Sequence, residues 1–387
     1  MIHRPPTGTR DLLPADVARK QAVEGLLVDV FRRWGYARII PPTLERLQTL
    51  TAGGAIDPDR VLQVRDPEGT LLGLRPELTA SIVRAVASRM GHVPRPVRLF
   101  YYGSVFQASR QEQERFQAGI ELIGAADWLA DAEVLVVLGS CLRALGIPEW
   151  TLLLGDAALT ESLLAVLSPT AQGPVKLALA HLDRVALETL PLSERDRHWA
   201  LTLFDLRGDP ERVWSQLHSL MLVGAAQERV KFLQQICGVM AQQGIQVVVD
   251  LSLVQAFEYY TGLIFRAVVK GEVVGSGGRY DDLHALYSPS HLHQPGIGFC
   301  LYLEPLLRQL PLDADPTSSD YLVVPQDPRT AATALGVIST WPDPETRFTL
   351  EILGRSHDEA VDYARALGIP EILWVQADGS YHTSPVG

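Results

Sequence analysis

The sequence has few cysteines, no long apolar run and a deficit of positive charge, and each shortage excludes a class of protein. Its 3 cysteines among 387 residues stand in no paired spacing, which argues against a disulfide framework and favours a reducing compartment. No apolar stretch approaches the roughly 20 residues of a membrane span, and residues 1–16 lack the apolar core of a signal peptide. We therefore expect a cytoplasmic protein with no membrane contact.

The shortage of positive charge bears on partners. Lys and Arg number 34 against 45 Asp and Glu, which gives a net charge of −11. Because binding to a phosphate backbone draws on clustered Lys and Arg, this balance weighs against a nucleic-acid partner. A hydrophobic share of 47% in a chain of 387 residues is typical of a globular protein with two domains.

The hydrophobic pattern predicts an α+β fold in which an antiparallel sheet is flanked by helices. Apolar residues three and four apart predict a helix over 15–34, and a second helix is expected over about 79–90. Residues 156–244 are rich in Leu, Ala, Gln and Glu, which predicts a largely helical insertion. The β-type runs are 36–40, 71–74, 98–102, 120–124, 245–251, 263–269, 272–275 and 296–301.

A change of composition near residue 311 predicts a domain boundary. Residues 311–319 are rich in Pro, Asp and Ser, so we expect a linker there between a domain over 1–310 and a small α/β unit over 320–387. This small unit has ten Asp and Glu against four Arg and no Lys, a net charge of −6, which would repel a nucleic-acid backbone. Its predicted elements are strands at 321–324 and 371–375 and a helix over 358–367.

Five segments carry residue types that suit an amino-acid pocket or its scaffold. They are the opening 8–14, Pro42, the run 74–79, the run 257–262 and the glycine-rich 275–281. A carboxylate pairs with an ammonium group, tyrosines offer a stacking face and a hydroxyl, and glycines let backbone approach a ligand. Taken in order, the segments resemble histidyl-tRNA synthetase, a class II aminoacyl-tRNA synthetase, over nearly all of 1–310.

That resemblance implies a class II synthetase-like fold for 1–310, a shortened anticodon-binding-like α/β domain for 320–387, and roles for individual residues. Pro42 falls where the first class II motif has its dimer-interface proline, so self-association as a dimer is expected. Gln117 and Glu121 fall where the family's strand faces the ligand, although a polar pair on one strand face is also common as plain surface. The histidine-pocket candidates are Glu77, Thr79, Gln107, Gln117, Glu121, Gln255, Tyr259, Tyr260 and Tyr280.

The cations that this family uses to hold ATP are missing from their expected positions. Gln107 follows Phe106 where the second motif has an arginine, Pro305 follows Glu304 where the third motif has one, and Gln255 replaces an extra catalytic arginine. Losing one preorganised donor to developing charge costs about 10² to 10³ in rate. With three losses we expect no competent ligase and therefore no catalytic residue. No cofactor is expected either.

Two further features leave a choice of interpretation. Arg115 is either a phosphate-facing arginine or one member of a surface ion pair with a neighbouring glutamate. His284, His291 and His293 could suggest a metal site, but no cysteine lies at a helpful spacing and prolines flank the run. A loop is the better interpretation, so no metal is expected.

A synthetase-like chain without these arginines closely resembles one family, the regulatory subunits of ATP phosphoribosyltransferase. The resemblance implies assembly with a short catalytic subunit, support for the first step of histidine biosynthesis, feedback by histidine and no catalysis of its own. Two alternatives remain open. One is an amino-acid ligase with a rebuilt phosphate site, and the other is a free-standing histidine sensor for another partner.

Overall fold

The structure is a computed structural model that describes residues 3–109, 113–253, 259–310 and 319–387. Two compact units make up the chain: the larger comprises Met1–Asp11 and Lys20–Leu312, and the smaller comprises Leu12–Arg19 and Asp313–Gly387. Of the predicted linker, only Ser319 lies within the described residues. No helix in the described ranges is both long enough and apolar enough to span a membrane.

Residues 3–310 contain both helices and strands. The helices are α1 (Pro14–Arg33), α2 (Leu47–Leu50), α3 (Thr79–Arg89), α4 (Trp128–Ala144), α5 (Ala157–Leu164), α6 (Pro169–Ala180), α7 (Arg184–Thr189), α8 (Glu194–Asp205), α9 (Pro210–Ser219), α10 (Ala225–Gln242), α11 (Leu283–Tyr287) and α12 (Leu303–Gln309). The strands are β1 (Ala37–Arg38), β2 (Leu44–Arg46), β3 (Gln63–Arg65), β4 (Leu71–Leu74), β5 (Val97–Phe106), β6 (Glu114–Ile123), β7 (Thr151–Asp156), β8 (Arg207–Gly208), β9 (Gln246–Asp250), β10 (Leu263–Val269), β11 (Glu272–Arg279) and β12 (Gly296–Tyr302).

A nine-stranded sheet organises the larger unit, in the order β1-β5-β6-β12-β11-β10-β7-β9-β8. The strands from β5 to β7 in this order are antiparallel, as the sequence predicts. Two pairs nearer the edges, β1 with β5 and β7 with β9, are parallel. The α+β synthetase-like fold class is confirmed, with a mixed sheet whose central strands are antiparallel.

Local sequence explains the first helix and the edge strand. Val23, Leu27 and Phe31 lie one turn apart on α1 and are fully buried, and the helix ends before Gly35, whose φ is +79°. Strand β1 is only two residues long because Pro41 and Pro42 follow it closely and cannot donate to a sheet. The predicted helix and the interrupted strand are therefore both present.

Strand alternation separates a core face of the large sheet from a site face. On β6, Ile120 and Leu122 point into a core that includes α4, while the opposite face carries Glu121. On β12, Phe299 and Leu301 join the same core. The other face packs against a second apolar cluster that includes residues of α3 and α11. The predicted pocket residues of β6 lie on this second face.

Between residues 157 and 242, the segment predicted to be helical contains α5 to α10, interrupted by the two-residue strand β8. No element was predicted for residues 125–150, where the structure has the buried helix α4. Strand β7 at 151–156 was also missed, and it pairs with β10 in the centre of the sheet.

The smaller unit has a four-stranded sheet of its own. Its strands are β13 (Tyr321–Pro325), β14 (Phe348–Leu350), β15 (Glu371–Val375) and β16 (Tyr381–Pro385), and its helices are α13 (Ala331–Ser339) and α14 (His357–Ala366). The order is β14-β13-β15-β16, with β13 parallel to both neighbours and β16 antiparallel to β15. A capping box between Ser356 and Glu359 fixes the start of α14. The predicted strands β13 and β15 and the helix α14 are confirmed.

Candidate ligand-binding cavity

A cavity of about 240 Å³ opens on the site face of the large sheet. Of the predicted pocket residues, all but Glu121 and Gln255 line it. Glu121 lies directly behind the lining, and Gln255 falls outside the described residues. The lining consists of Arg60, Glu77, Thr79, Tyr101, Gln107, Arg115, Gln117, Tyr259, Tyr260, Arg266, Val273, Ser276, Tyr280, Gly298, Phe299, Cys300 and Tyr302.

Strand β6 supplies one wall of the cavity. Arg115, Gln117, Gly119 and Glu121 alternate along it and therefore point to the same face of the sheet. The sequence prediction that Gln117 and Glu121 share one strand face is confirmed. Glu121 is 1% exposed, so this strand carries a buried carboxyl and is not a plain solvated surface.

Glycines on the neighbouring strands make room for the polar side chains. Gly298 lies opposite Glu121, and a Cβ atom on it would stand 2.0 Å from the Oε2 atom of Glu121. A Cβ atom on Gly278 would stand 2.5 Å from the ring of Tyr260. Any larger residue at either position would displace a cavity side chain, which explains the glycine-rich pattern of β11 and β12.

One end of the cavity is acidic and held by a hydrogen-bond network. The carboxylate of Glu77 accepts from the backbone N–H groups of Thr79 at 2.6 Å and Ala80 at 2.8 Å, at the start of α3. The hydroxyl of Thr79 donates to Oε1 of Glu121 at 2.7 Å, and the hydroxyl of Tyr280 donates to Oε2 of the same side chain. These hydrogen bonds hold Glu77, Thr79, Glu121 and Tyr280 in place before any ligand binds.

Burial controls the ionisation of both carboxyls. It raises the pKa of Glu121 to about 8, although the hydroxyls of Tyr280 and Thr79 oppose the rise. It also raises the pKa of Glu77 against the effect of the two backbone donors. Neither carboxyl forms an ion pair with a residue in the described ranges. A cationic ligand group, such as an ammonium or an imidazolium, would supply the missing charge.

Tyrosines form the wall beside the acidic end. The rings of Tyr259 and Tyr260 have centroids 4.8 Å apart, and the rings of Tyr259 and Tyr280 meet edge to face at 6.1 Å. Burial holds the pKa of all three hydroxyls well above the usual range, so they stay neutral. Such a wall can stack on a flat ring and offer hydroxyl hydrogen bonds.

Away from the acidic end the cavity lining is basic, and we call this part the basic end; the sequence analysis largely missed it. Arg60, Arg115 and Arg266 all line it, and only Arg115 was considered beforehand. Arg266 lies on β10 opposite Ser276, whose hydroxyl is 2.6 Å from the hydroxyl of Tyr302. Only the pairing of β10 with β11 places Arg266 in the cavity, and the sequence of β10 alone does not reveal that pairing.

Two of the positions at which the synthetase family has arginines carry residues without a positive charge, Gln107 and Pro305. Gln107 and Gln117 both line the cavity, and the amide of Gln117 forms no side-chain hydrogen bond to any described residue. Glu304 begins the first turn of α12, and its Oε1 atom accepts from the backbone N–H of Phe116 at 2.9 Å. Pro305 follows and carries no donor. The third-motif glutamate therefore ties α12 to β6.

Pro42 lies away from the cavity, at the surface. It is exposed, whereas Pro41 is buried. The buried Arg75 guanidinium donates to the carbonyl oxygens of Pro41 at 2.7 Å and Pro42 at 3.2 Å, which fixes the path of this segment. A dimer contact at Pro42 stays a prediction.

Comparison with known proteins places this geometry in a family. The histidyl-tRNA synthetase family matches residues 8–306. An ATP phosphoribosyltransferase regulatory subunit of Synechococcus sp. (strain JA-3-3Ab) is 54% identical over 391 residues, covering 99% of this chain and 94% of the relative. The same subunit of Gloeobacter violaceus is 46% identical, covering 98% and 97%.

Solved structures agree with the sequence relatives. An ATP phosphoribosyltransferase regulatory subunit/histidyl-tRNA synthetase from Bacillus halodurans C superposes with a TM-score of 0.83 at 25% identity, over 97% of this chain and 99% of that one. A histidyl-tRNA synthetase from Nostoc sp. PCC 7120 has a TM-score of 0.80 at 18% identity, over 98% and 96%, and shares the fold. The chain belongs to the family of ATP phosphoribosyltransferase regulatory subunits, which is built on the histidyl-tRNA synthetase fold.

Proposed function

We propose that this chain is a non-catalytic subunit that activates a short ATP phosphoribosyltransferase catalytic subunit and transmits feedback inhibition by histidine. The reaction it supports is the first step of histidine biosynthesis. Histidine would bind in the cavity of the large unit, with its cationic groups at the acidic end and its ring against the tyrosine wall. The ATP phosphoribosyltransferase regulatory subunits of other organisms match nearly the whole chain, which supports the assignment.

The observation that carries the proposal is the contrast between the two halves of the expected synthetase site. The amino-acid half has the network of Glu77, Thr79, Glu121 and Tyr280 in place. The ATP half has Gln107 and Pro305 where arginines would be needed. A space of about 240 Å³ also falls below the roughly 300–1,000 Å³ of larger ligand sites, so it suits a single amino acid.

Reconstitution with the catalytic subunit tests the proposal. Activity of the purified catalytic subunit is measured alone, with this chain, and with this chain plus L-histidine. We expect little activity alone, a large gain on adding the chain and inhibition by histidine. Unchanged activity on addition of the chain would refute the activating role. Binding of histidine without comigration of the two subunits would favour a free-standing sensor.

One observation favours a second candidate, an amino-acid ligase with a rebuilt phosphate site. Arg60, Arg115 and Arg266 line the cavity and bring positive charge to it, although the three expected arginines are absent. Guanidinium groups stabilise the negative charge of a phosphoryl transition state. Histidine-dependent exchange of pyrophosphate with ATP would demonstrate this activity, and its absence in protein that binds histidine would eliminate it.

Self-association and location complete the proposal. Ile40, Pro42 and Leu44 are exposed around the predicted dimer segment, and Ile40 is 72% exposed, which supports a contact with a second copy. Analytical ultracentrifugation of the chain with Pro42→Asp would show a shift to monomer if this segment forms the contact. The cysteines Cys141, Cys237 and Cys300 are unpaired, which supports a reducing location such as the cytoplasm.

A further inference from the structure

We propose that Arg266 holds the carboxylate of the amino acid that binds in the cavity and so makes the site select amino acids over the corresponding amines and alcohols. This inference rests on the proposed binding of histidine. It deepens that proposal, because it assigns the carboxylate to a residue outside the motifs that suggested the pocket.

Position is the first support. Arg266 pairs with Ser276, Ser276 pairs with Cys300, and Cys300 pairs with Gly119 of β6. Residues directly opposite in antiparallel strands point to the same face of the sheet. Gly119 shares its face with Glu121, which is two residues along β6. Arg266 therefore points to the site face, and it lines the same small cavity as Glu77 and Thr79.

Unsatisfied charge is the second support. Within the described ranges, the Arg266 guanidinium has no hydrogen bond and no ion pair, although the side chain is partly buried. Arg279, by comparison, is bound by both carboxylate oxygens of Asp131. Keeping an unpaired cation away from bulk water is costly unless an anion joins it. A carboxylate matches the fork of a guanidinium through two parallel hydrogen bonds.

The surroundings of Arg266 also suit an anion. Tyr302 and Ser276 place two hydroxyls beside it, joined to each other at 2.6 Å. Burial raises the pKa of the Tyr302 hydroxyl, and the positive charge of Arg266 opposes that rise, which reflects their closeness. Arg60 and Arg115 line the same cavity, and their charges add to its positive electrostatic potential.

The two ends together define the ligand class. Buried carboxyls at one end call for a cation, and Arg266 at the other end calls for an anion. A single molecule that spans a cavity of about 240 Å³ must then carry both charges, which is the pattern of a zwitterionic amino acid. An amine or an amino alcohol of the same shape would satisfy only the acidic end.

Calorimetry on the full-length chain tests the assignment. L-Histidine and histidinol, which lacks the carboxylate, are titrated into wild type, Arg266→Met and the control Arg212→Met, an exposed arginine of α9. Wild type should prefer histidine over histidinol by about 10- to 100-fold, the range for a hydrogen-bonded charge. Arg266→Met should lose that preference through weaker histidine binding, and Arg212→Met should keep it. A thermal melt of each variant confirms that it is folded.

Each contrary result has a distinct meaning. If Arg266→Met keeps the full preference for histidine, the carboxylate lies elsewhere and the assignment is wrong while histidine binding stands. If wild type binds no histidine, the proposed histidine feedback through this cavity fails together with the assignment. A third arm titrates inorganic phosphate. Phosphate that binds alongside histidine and is lost in Arg266→Met would show that Arg266 serves a phosphoryl group, which also overturns the assignment.

Discussion

The two ends of the cavity differ in how far they are organised in advance. At the acidic end, Glu121 receives hydrogen bonds from Thr79 and Tyr280, and Glu77 is held by the start of α3. At the basic end, Arg266 has no partner among the described residues. Side chains that are hydrogen-bonded to one another contribute to the stability of the folded chain. A side chain without partners contributes to ligand binding instead.

This difference predicts that the two ends respond differently to substitution. Changes at the acidic end and its supports should reduce the free energy of unfolding and ligand binding together. Changes at the basic end should reduce ligand binding alone. Four substitutions test that contrast, and their expected effect on stability decreases from the first to the last.

The largest loss is expected at the buried ion pair that supports the acidic end. Arg279 precedes Tyr280 and binds Asp131 through two hydrogen bonds of 2.9 and 2.8 Å, with both side chains at most 6% exposed. Asp131→Ala removes the buried partner of Arg279 and leaves it only the partly exposed Asp281, so it should cost about 3 kcal/mol in urea unfolding. As a control, Asp205→Ala breaks an exposed pair with Arg184 and should leave the unfolding midpoint unchanged. Equal losses in both variants would contradict this prediction.

The second effect is a pH dependence that Glu121 should impose on stability. Its pKa is about 8 in the folded chain and about 4.3 when exposed, so between these values the unfolded state releases a proton that the native state keeps. Stability should therefore fall as pH rises through this window, by up to about 1.4 kcal/mol per pH unit.

Glu121→Gln removes the titrating group and should flatten this slope. Unfolding by urea at pH 5, 6, 7 and 8 compares the two proteins under otherwise equal conditions. The difference in slope isolates Glu121, because the other titrating groups are common to both chains. Parallel curves would show that Glu121 does not titrate as its burial implies.

The third effect concerns the close approach of β12 to the acidic end. In Gly298→Ala the added Cβ atom would stand 2.0 Å from Glu121 Oε2 and 2.4 Å from the backbone oxygen of Ile120. We expect a loss of about 1–3 kcal/mol and weaker histidine binding. The control Gly238→Ala lies on α10 with nothing within 4 Å, and it should stabilise the chain by up to about 1 kcal/mol. A Gly298→Ala protein as stable as wild type would contradict the prediction.

The smallest effect on stability should come from the basic end. Arg266→Met breaks no hydrogen bond or ion pair within the described residues and removes an unpaired, partly buried cation, so it should not lower the free energy of unfolding by more than about 0.5 kcal/mol. Thermal and urea unfolding both measure this difference. A loss above about 2 kcal/mol would show that Arg266 is a structural residue and would remove the contrast between the two ends.

Much of the fold could be predicted because its signals are local. Helix α1 has its apolar residues three and four apart, β10 begins and ends where its β-type run does, and α14 starts at a serine with a glutamate three residues later. Helix α4 was missed because it is buried on most sides, so its apolar residues form no stripe. Strand β7 was missed since its Leu-rich sequence is not typical of a strand.

The cavity shows the same limit of local signals. Gln117 and Glu121 could be assigned to one face because they lie on one strand, and the glycines of β11 predicted a close approach of the backbone to a ligand. Arg266 could not be assigned, because its place depends on pairing with Ser276 and on the order of four strands. The four strands are far apart in sequence, so a local sequence pattern cannot predict how they pair. The basic end of the site is therefore a finding of the structure.

The most direct test of the central claim is the inhibition curve of the reconstituted transferase, with wild-type chain or with Gln117→Leu. Gln117 lines the cavity, and its amide forms no hydrogen bond to a described residue, so the substitution removes only a contact to the ligand. We predict normal activation of the catalytic subunit and a histidine concentration for half-inhibition that rises about tenfold. Normal activation with an unchanged inhibition curve would contradict the account, since histidine would then act outside this cavity.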